Sequence, residues 1–187
     1  MRIGFDFDGV LCPTPFGRLA VHAPSPVPDL PAGYESLYHQ RPPVNPLRLA
    51  VEYARFGWRG SSSEAVAVLT ELASAHAVYI VTGRSAVGEP VVRRWLQRRR
   101  LDDTVAGVWM APRGLRPAQH KLAVARILGL DVHVDDDPRT AYHLARSGVP
   151  RVFLFNHAGA HGHEPPAASL TLVRSLSEVP RTLADGG

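Results

Sequence analysis

The chain has little of three things. Among its 187 residues are one cysteine, Cys12, one lysine, Lys121, and no hydrophobic run of membrane-spanning length. A single cysteine excludes an internal disulfide and fits a reducing compartment. Without a long apolar run there is no transmembrane helix, and Asp6 and Asp8 interrupt the first apolar segment where a secretory leader would be continuous. The expected setting is the cytoplasm, with no membrane partner. Internal repeats are also lacking, which excludes a solenoid. Arginine, by contrast, is abundant: it supplies all but one of the 21 Lys and Arg residues, and the formal net charge is +4. That balance suits an anionic small substrate or a nucleic acid, and a small excess of arginine alone also produces it.

A hydrophobic content of 45% supports a buried core, and the length suits one domain spanning 1–187. Five short apolar runs predict strands: Arg2 to Phe7, Ala77 to Val81, Ala106 to Met110, Asp131 to Asp135 and Arg151 to Phe155. Each is nearly continuous rather than alternating, as in strands covered on both faces of a parallel sheet. Between them, Ser63 to Ala75, Val87 to Arg100, Pro117 to Leu128 and Pro138 to Ser147 carry helical spacing. Gly129 and Gly148 stand where helix C-caps belong. The alternation predicts an α/β fold, a Rossmann-like doubly wound sheet of about five parallel strands.

The stretch 12–60 breaks that pattern. It holds nine prolines between Pro13 and Pro46 and has no strand-helix unit of normal length. It reads as a Pro-rich, cap-like insertion over the C-terminal edge of the sheet, with short helices over Tyr34 to Gln40 and Pro46 to Phe56. Asn156 to Pro166 reads as a loop, and Leu176 to Leu183 as a last amphipathic segment.

In open α/β sheets, ligands bind beyond the carboxyl ends of the strands. Those ends carry Asp6 and Asp8, then Thr82, Gly83 and Arg84, then Asp135, Asp136 and Asp137. Carboxylates gathered from two strand ends repel unless a cation neutralises them, and hard oxygen ligands suit Mg2+. A carboxylate there can act as nucleophile, and a second acid two residues on can move the proton. Thr82 and Gly83 can hold phosphate oxygens, and a lysine can offset the accumulated negative charge.

These residues, in this order, resemble the haloacid dehalogenase superfamily of phosphatases. The motifs are Asp6-Phe7-Asp8-Gly9-Val10, Val81-Thr82-Gly83-Arg84, Lys121, and Val134-Asp135-Asp136-Asp137-Pro138. The resemblance implies Asp6 as nucleophile and Mg2+ ligand, and Asp8 as general acid/base that also ligates through its carbonyl. It further implies Thr82, with Gly83 and Arg84, as phosphate or substrate site, Lys121 as charge-steadying group, and Asp135 and Asp136 completing the metal site. Asp137-Pro138 reads as the cap of the next helix. An acid at the position of Asp8 resembles the phosphatase branches, whereas the dehalogenase and P-type ATPase branches differ there. The early insertion and the Asp-Asp-x-Pro form are similar to deoxyribonucleotidase-like members.

The implied activity is Mg2+-dependent hydrolysis of a small phosphorylated metabolite, nucleotides included, through an aspartyl-phosphate. Two alternatives stand beside it. One is a nucleic-acid end phosphatase using the basic run Arg93, Arg94, Arg98, Arg99 and Arg100; the bland reading of that run is a solvated helix face. The other is a catalytically idle module that binds a protein partner. Cys12 reads as a small packed residue. His157, His161 and His163 read as a solvated loop, with soft-metal binding as the sharper alternative. Tyr53, Phe56 and Trp58 either anchor the insertion or, with Arg84, meet the leaving group.

Overall fold

The structure, a computed structural model, describes residues 1–13, 27–39, 46–56, 60, 62–155 and 167–185, and of residues 55 and 56 the backbone alone. The strands are β1 (Arg2–Phe5), β2 (Ala77–Ser85), β3 (Gly107–Ala111), β4 (Val132–Asp135), β5 (Arg151–Phe155) and β6 (Leu170–Val173). The helices are α1 (Pro46–Phe56), α2 (Ser63–Ala73), α3 (Glu89–Gln97), α4 (Pro117–Leu128), α5 (Pro138–Arg146) and α6 (Glu178–Asp185). Tyr34–His39 forms a 3-10 turn. Among the described residues, no helix is long and apolar enough to cross a membrane.

All six strands are parallel, in the order β3-β2-β1-β4-β5-β6. The chain builds outward from β1 to β3, returns to lay β4 beside β1, and builds outward again. The β1/β4 boundary is therefore the topological switch point, as in the Rossmann order. β6 goes beyond the five expected strands. It is a short edge strand with Leu172 in solvent, so it lacks the continuous apolar signature of its neighbours.

Both faces of the sheet are covered, which is why its strands are apolar throughout. On one face Phe5, Ile80 and Phe153 pack with Leu69 of α2, Leu96 of α3 and Val179 of α6. On the other, Val81 and Val152 pack with Leu122 and Val124 of α4 and Ala141 and Leu144 of α5. Ser62 caps α2, its hydroxyl accepting the Ala65 N–H at 3.0 Å. Gly129 ends α4 in the left-handed region at φ 59°, as the sequence predicts.

Helix α4 is buried from Ala118 to Ala125, all round rather than on one stripe. The sheet lies on one side, α5 on another, and residues 27–39 on a third. Tyr38 reaches its His120, and the Gln119 amide donates to the Asp29 carbonyl at 2.8 Å. Across the same edge of the sheet, α1 rests beside the start of α3, with the Glu52 carboxylate against Gly88. Two described pieces of the 12–60 stretch thus flank the carboxyl end of the sheet.

Gly4 shows how tightly the switch point is packed. A Cβ there would meet Leu130 Cδ1 at 2.7 Å and His133 Nδ1 at 2.8 Å. Gly4→Ala is expected to destabilise the fold by about 1–3 kcal/mol through this overlap. Denaturant titration checks it; an unchanged midpoint would contradict the packing.

Candidate active site

β1 and β4 pair in register, Phe5 opposite Val134, so the next residues, Asp6 and Asp135, leave the sheet side by side. The Asp6 N–H still donates to the Val134 carbonyl at 2.9 Å. β1 stops at Phe5, two residues short of the predicted end, because the chain must turn there. The Cys12 and Leu11 N–H groups fold back onto the Phe7 carbonyl, at 2.8 and 3.1 Å. Cys12 is fully buried, as a packed residue.

The turn requires Gly9. Its φ is 87°, and a Cβ there would lie 2.0 Å from Asp136 Oδ2. Asp136 is thereby brought against the first loop. Carboxylate oxygens of Asp6, Asp135 and Asp136 lie within 4.8 Å of one another, the one such acid cluster among the described residues.

Lys121 enters this cluster from α4. Its ammonium is 2.7 Å from Asp6 Oδ2 and 2.7 Å from Asp135 Oδ2, and all three groups are buried. The helix can approach because Gly83 is small: a Cβ there would meet Pro117 Cβ at 2.8 Å. Asp6 Oδ1 accepts the Phe7 N–H at 2.7 Å, and Asp135 Oδ1 accepts the Asp137 N–H at 2.9 Å. His133 Nε2 lies 3.1 Å from Asp135 Oδ2.

One ammonium does not satisfy both acids. Burial pushes the Asp6 carboxyl well above its ordinary range; Lys121 opposes this, and Asp135 and Asp136 add to it. Burial also works against ionised Asp135, but Lys121 and the His133 hydrogen bond outweigh it and hold the group below the usual range. Burial alone would push the Lys121 ammonium down; Asp135 and Asp6 hold it above its ordinary value. The cluster is thus short of positive charge at Asp6.

Thr82 and Arg84 come from β2, which runs on to Ser85 with a register shift against β3 between Thr82 and Ser85. Thr82 is buried, and its hydroxyl accepts the Arg84 N–H at 3.3 Å. The Arg84 guanidinium spans to Asp8, with Nε 2.5 Å from Oδ2 and NH2 2.6 Å from Oδ1, and NH1 lies 3.4 Å from Glu52. Asp137 stands at the N-cap of α5, its carboxylate accepting the Thr140 hydroxyl at 2.7 Å.

By sequence, neither a family model nor a curated protein matches the chain. Solved structures do resemble it. A haloacid dehalogenase-like hydrolase of Streptococcus pneumoniae superposes with a TM-score of 0.62 at 12% identity over 97% of each chain. L-2-haloacid dehalogenase of Xanthobacter autotrophicus gives 0.62 at 13% identity over 100% of this chain and 99% of its own. A chain of a Pnkp1/Rnl/Hen1 RNA repair complex gives 0.54 at 15% identity over 83% of this chain and 42% of its own. The fold is haloacid dehalogenase-like.

Within this haloacid dehalogenase-like fold, the first, third and fourth sequence motifs meet at one point, and Thr82 stands on the next strand. The Asp8 carboxylate faces Arg84 rather than the Asp6 cluster, and the part expected of Asp8 at a metal is its carbonyl. Two participants escaped the sequence reading. His133 left a signal, since it lies two residues before Asp135 on the same strand face and opposite Gly4 in register. Glu52 left none, for nothing in α1 sets it apart from its neighbours. His157, His161 and His163, Trp58 and the Phe56 side chain lie outside the described residues. Tyr53 is half-buried, with Arg94 5.9 Å from its ring.

His120 also lies deep beside Lys121. Tyr38 Oη is 2.8 Å from Nδ1 and the Trp109 carbonyl 3.3 Å from Nε2, so a neutral ring with hydrogen on Nε2 satisfies both. Burial, with the Lys121 charge added, pushes this imidazole down to about 3. An unfolded histidine takes its proton near pH ~6.5. Below that pH the unfolded chain binds a proton that the folded chain refuses, so this contribution to stability is lost as pH falls towards 3. Between pH 7 and 5, the wild type is expected to lose about 2 kcal/mol more than His120→Gln. Denaturant titrations at both pH values check this; parallel losses would contradict it.

Proposed function

We propose that this chain is a Mg2+-dependent phosphomonoester hydrolase that works through an aspartyl-phosphate on Asp6. The observation that carries the reading is the convergence of Asp6, Asp135 and Asp136 on one point, with Lys121 bridging two of them at 2.7 Å. Three hard oxygen donors around a deficit of positive charge fit a divalent cation that prefers oxygen. Asp6, Asp135, Asp136 and the Asp8 carbonyl would hold it. Bound there, Mg2+ would neutralise the acids and draw charge from the phosphoryl oxygens.

The residues then divide the work. Asp6 attacks phosphorus, and the ester P–O bond breaks. Asp8 gives the leaving oxygen its proton. In the second step Asp8 takes a proton from water, which attacks phosphorus and frees the Asp6 carboxylate. The Thr82 hydroxyl and Gly83 N–H hold phosphate oxygens, and Lys121 keeps the attacking carboxylate oriented.

Two features favour this over carbon–halogen cleavage, the activity named for the Xanthobacter neighbour. A departing halide needs no proton, whereas an alkoxide does, and Asp8 is the acid we assign to supply one. A cation-demanding acid cluster also has work to do when the substrate is a phosphate dianion. The preferred substrate is a small phosphorylated metabolite, nucleotides included.

The RNA repair neighbour and the arginine run raise a second reading, hydrolysis at nucleic-acid ends. Part of that run has a structural account. The chain leaves α3 through Arg98 to Arg100, and the Ala106 N–H then donates to the Val78 carbonyl near the start of β2. Arg99 stacks on Trp95 at 4.1 Å. Trp95 in turn meets the Phe7 ring edge-on at 5.0 Å, so Arg99 has a packing role.

Purified protein with Mg2+ is expected to hydrolyse para-nitrophenyl phosphate, with Asp6→Asn lowering kcat at least about a thousandfold. Chelation with EDTA should abolish turnover. Full activity in Asp6→Asn would contradict the assignment.

A further inference from the structure

Asp8 must present one oxygen to a leaving group, yet it sits within a glycine-hinged turn, just before Gly9, and keeps a quarter of its side chain in solvent. What holds it is Arg84. That guanidinium is nearly buried, donates from two nitrogens to the two Asp8 oxygens at 2.5 and 2.6 Å, and lies 5.3 Å from the centre of the Phe7 ring. A planar fork fixes the rotation of a carboxylate as well as its place, which a single ammonium cannot do. The third terminal group, NH1, faces Glu52 of α1 at 3.4 Å, and Glu52 in turn packs on Gly88 at the start of α3.

We propose that Arg84 is a positioning residue for Asp8, and that Glu52 steadies the outer side of the same guanidinium, so that the 12–60 stretch is coupled to the proton-transfer step. This rests on the phosphatase reading. It assigns Arg84 to the acid/base group rather than to the substrate phosphate, because its donors are directed at Asp8 and Glu52.

The two roles separate by leaving group. A nitrophenolate departs without a proton, whereas an alkoxide needs one. The rate of the first step, read as single-turnover release of the alcohol or phenol, and KM are to be measured with Mg2+ for wild type, Arg84→Ala, Arg84→Lys and Glu52→Gln, on para-nitrophenyl phosphate and on glycerol phosphate. Arg84→Ala is expected to lower the first-step rate about a hundredfold on the alkyl ester and less than about tenfold on the aryl ester, with KM little changed. Arg84→Lys should recover only part of the alkyl rate, and Glu52→Gln should give a smaller loss in the same sense. Equal losses on both esters, or a loss confined to KM, would overturn the positioning role. An unchanged ester ratio in Glu52→Gln would overturn the coupling.

A stability cycle over Asp8→Ala, Arg84→Ala and the double variant reads the pairing without any turnover. Melting-point losses that fail to add support it, and additive losses overturn it. A wild type that cleaves neither ester overturns the phosphatase reading and Arg84's part in it, whatever the cycle shows, so the two failures are told apart.

Discussion

One ammonium among three carboxylates is the constraint on which this molecule turns. Lys121 sits in a dry place, 2.7 Å from each of two acids. A buried charge costs several kcal/mol unless partners surround it, and removing one partner from such a set strands the others. Everything nearby serves to bring the partners together. Gly83 lets α4 lie close to β2, Gly9 admits Asp136 beneath the first loop, and Gly4 clears a site for His133. Each glycine stands where a side chain would collide with a member of the cluster or with a residue that supports it.

The charge count is what the proposed chemistry rests on. Lys121 serves both acids, but Asp135 also has the His133 hydrogen bond, whereas Asp6 has Lys121 set against its burial and two neighbouring acids. A carboxylate that is buried, incompletely neutralised and fixed through its neighbour's N–H is poised both to ligate a cation and to attack an electrophile. Asp8 lies two residues away in a different setting, a quarter exposed and forked by Arg84. Two acids in two environments can take two roles, which is the general logic of acid/base division on one loop.

Much of this was legible in the sequence because the strands are buried on both faces and read as unbroken apolar runs. Their ends then named Asp6, Thr82 and Asp135 directly. The solitary Lys121 was legible for a different reason: in a chain that otherwise uses arginine, a lone lysine marks a place where the compact ammonium is wanted. β6 was not legible, since an edge strand with one exposed leucine has no such run. Nor was the extension of β2 to Ser85, which depends on a register shift set by its neighbour. Glu52 depends on how α1 docks, a tertiary fact with no local pattern. The pairing of Asp8 with Arg84 joins residues 76 apart, and spacing alone does not announce it.

The central claim is that Asp6 becomes covalently phosphorylated. It is tested most directly by acid-quenching Asp8→Asn during turnover of para-nitrophenyl phosphate with Mg2+, then mapping peptides by mass spectrometry. That ester needs no proton to depart, while the second step lacks its base, so the intermediate should accumulate. The account predicts one added phosphoryl group on the peptide that carries Asp6. Nitrophenol released with no phosphoryl adduct, or an adduct on any other residue, would contradict it.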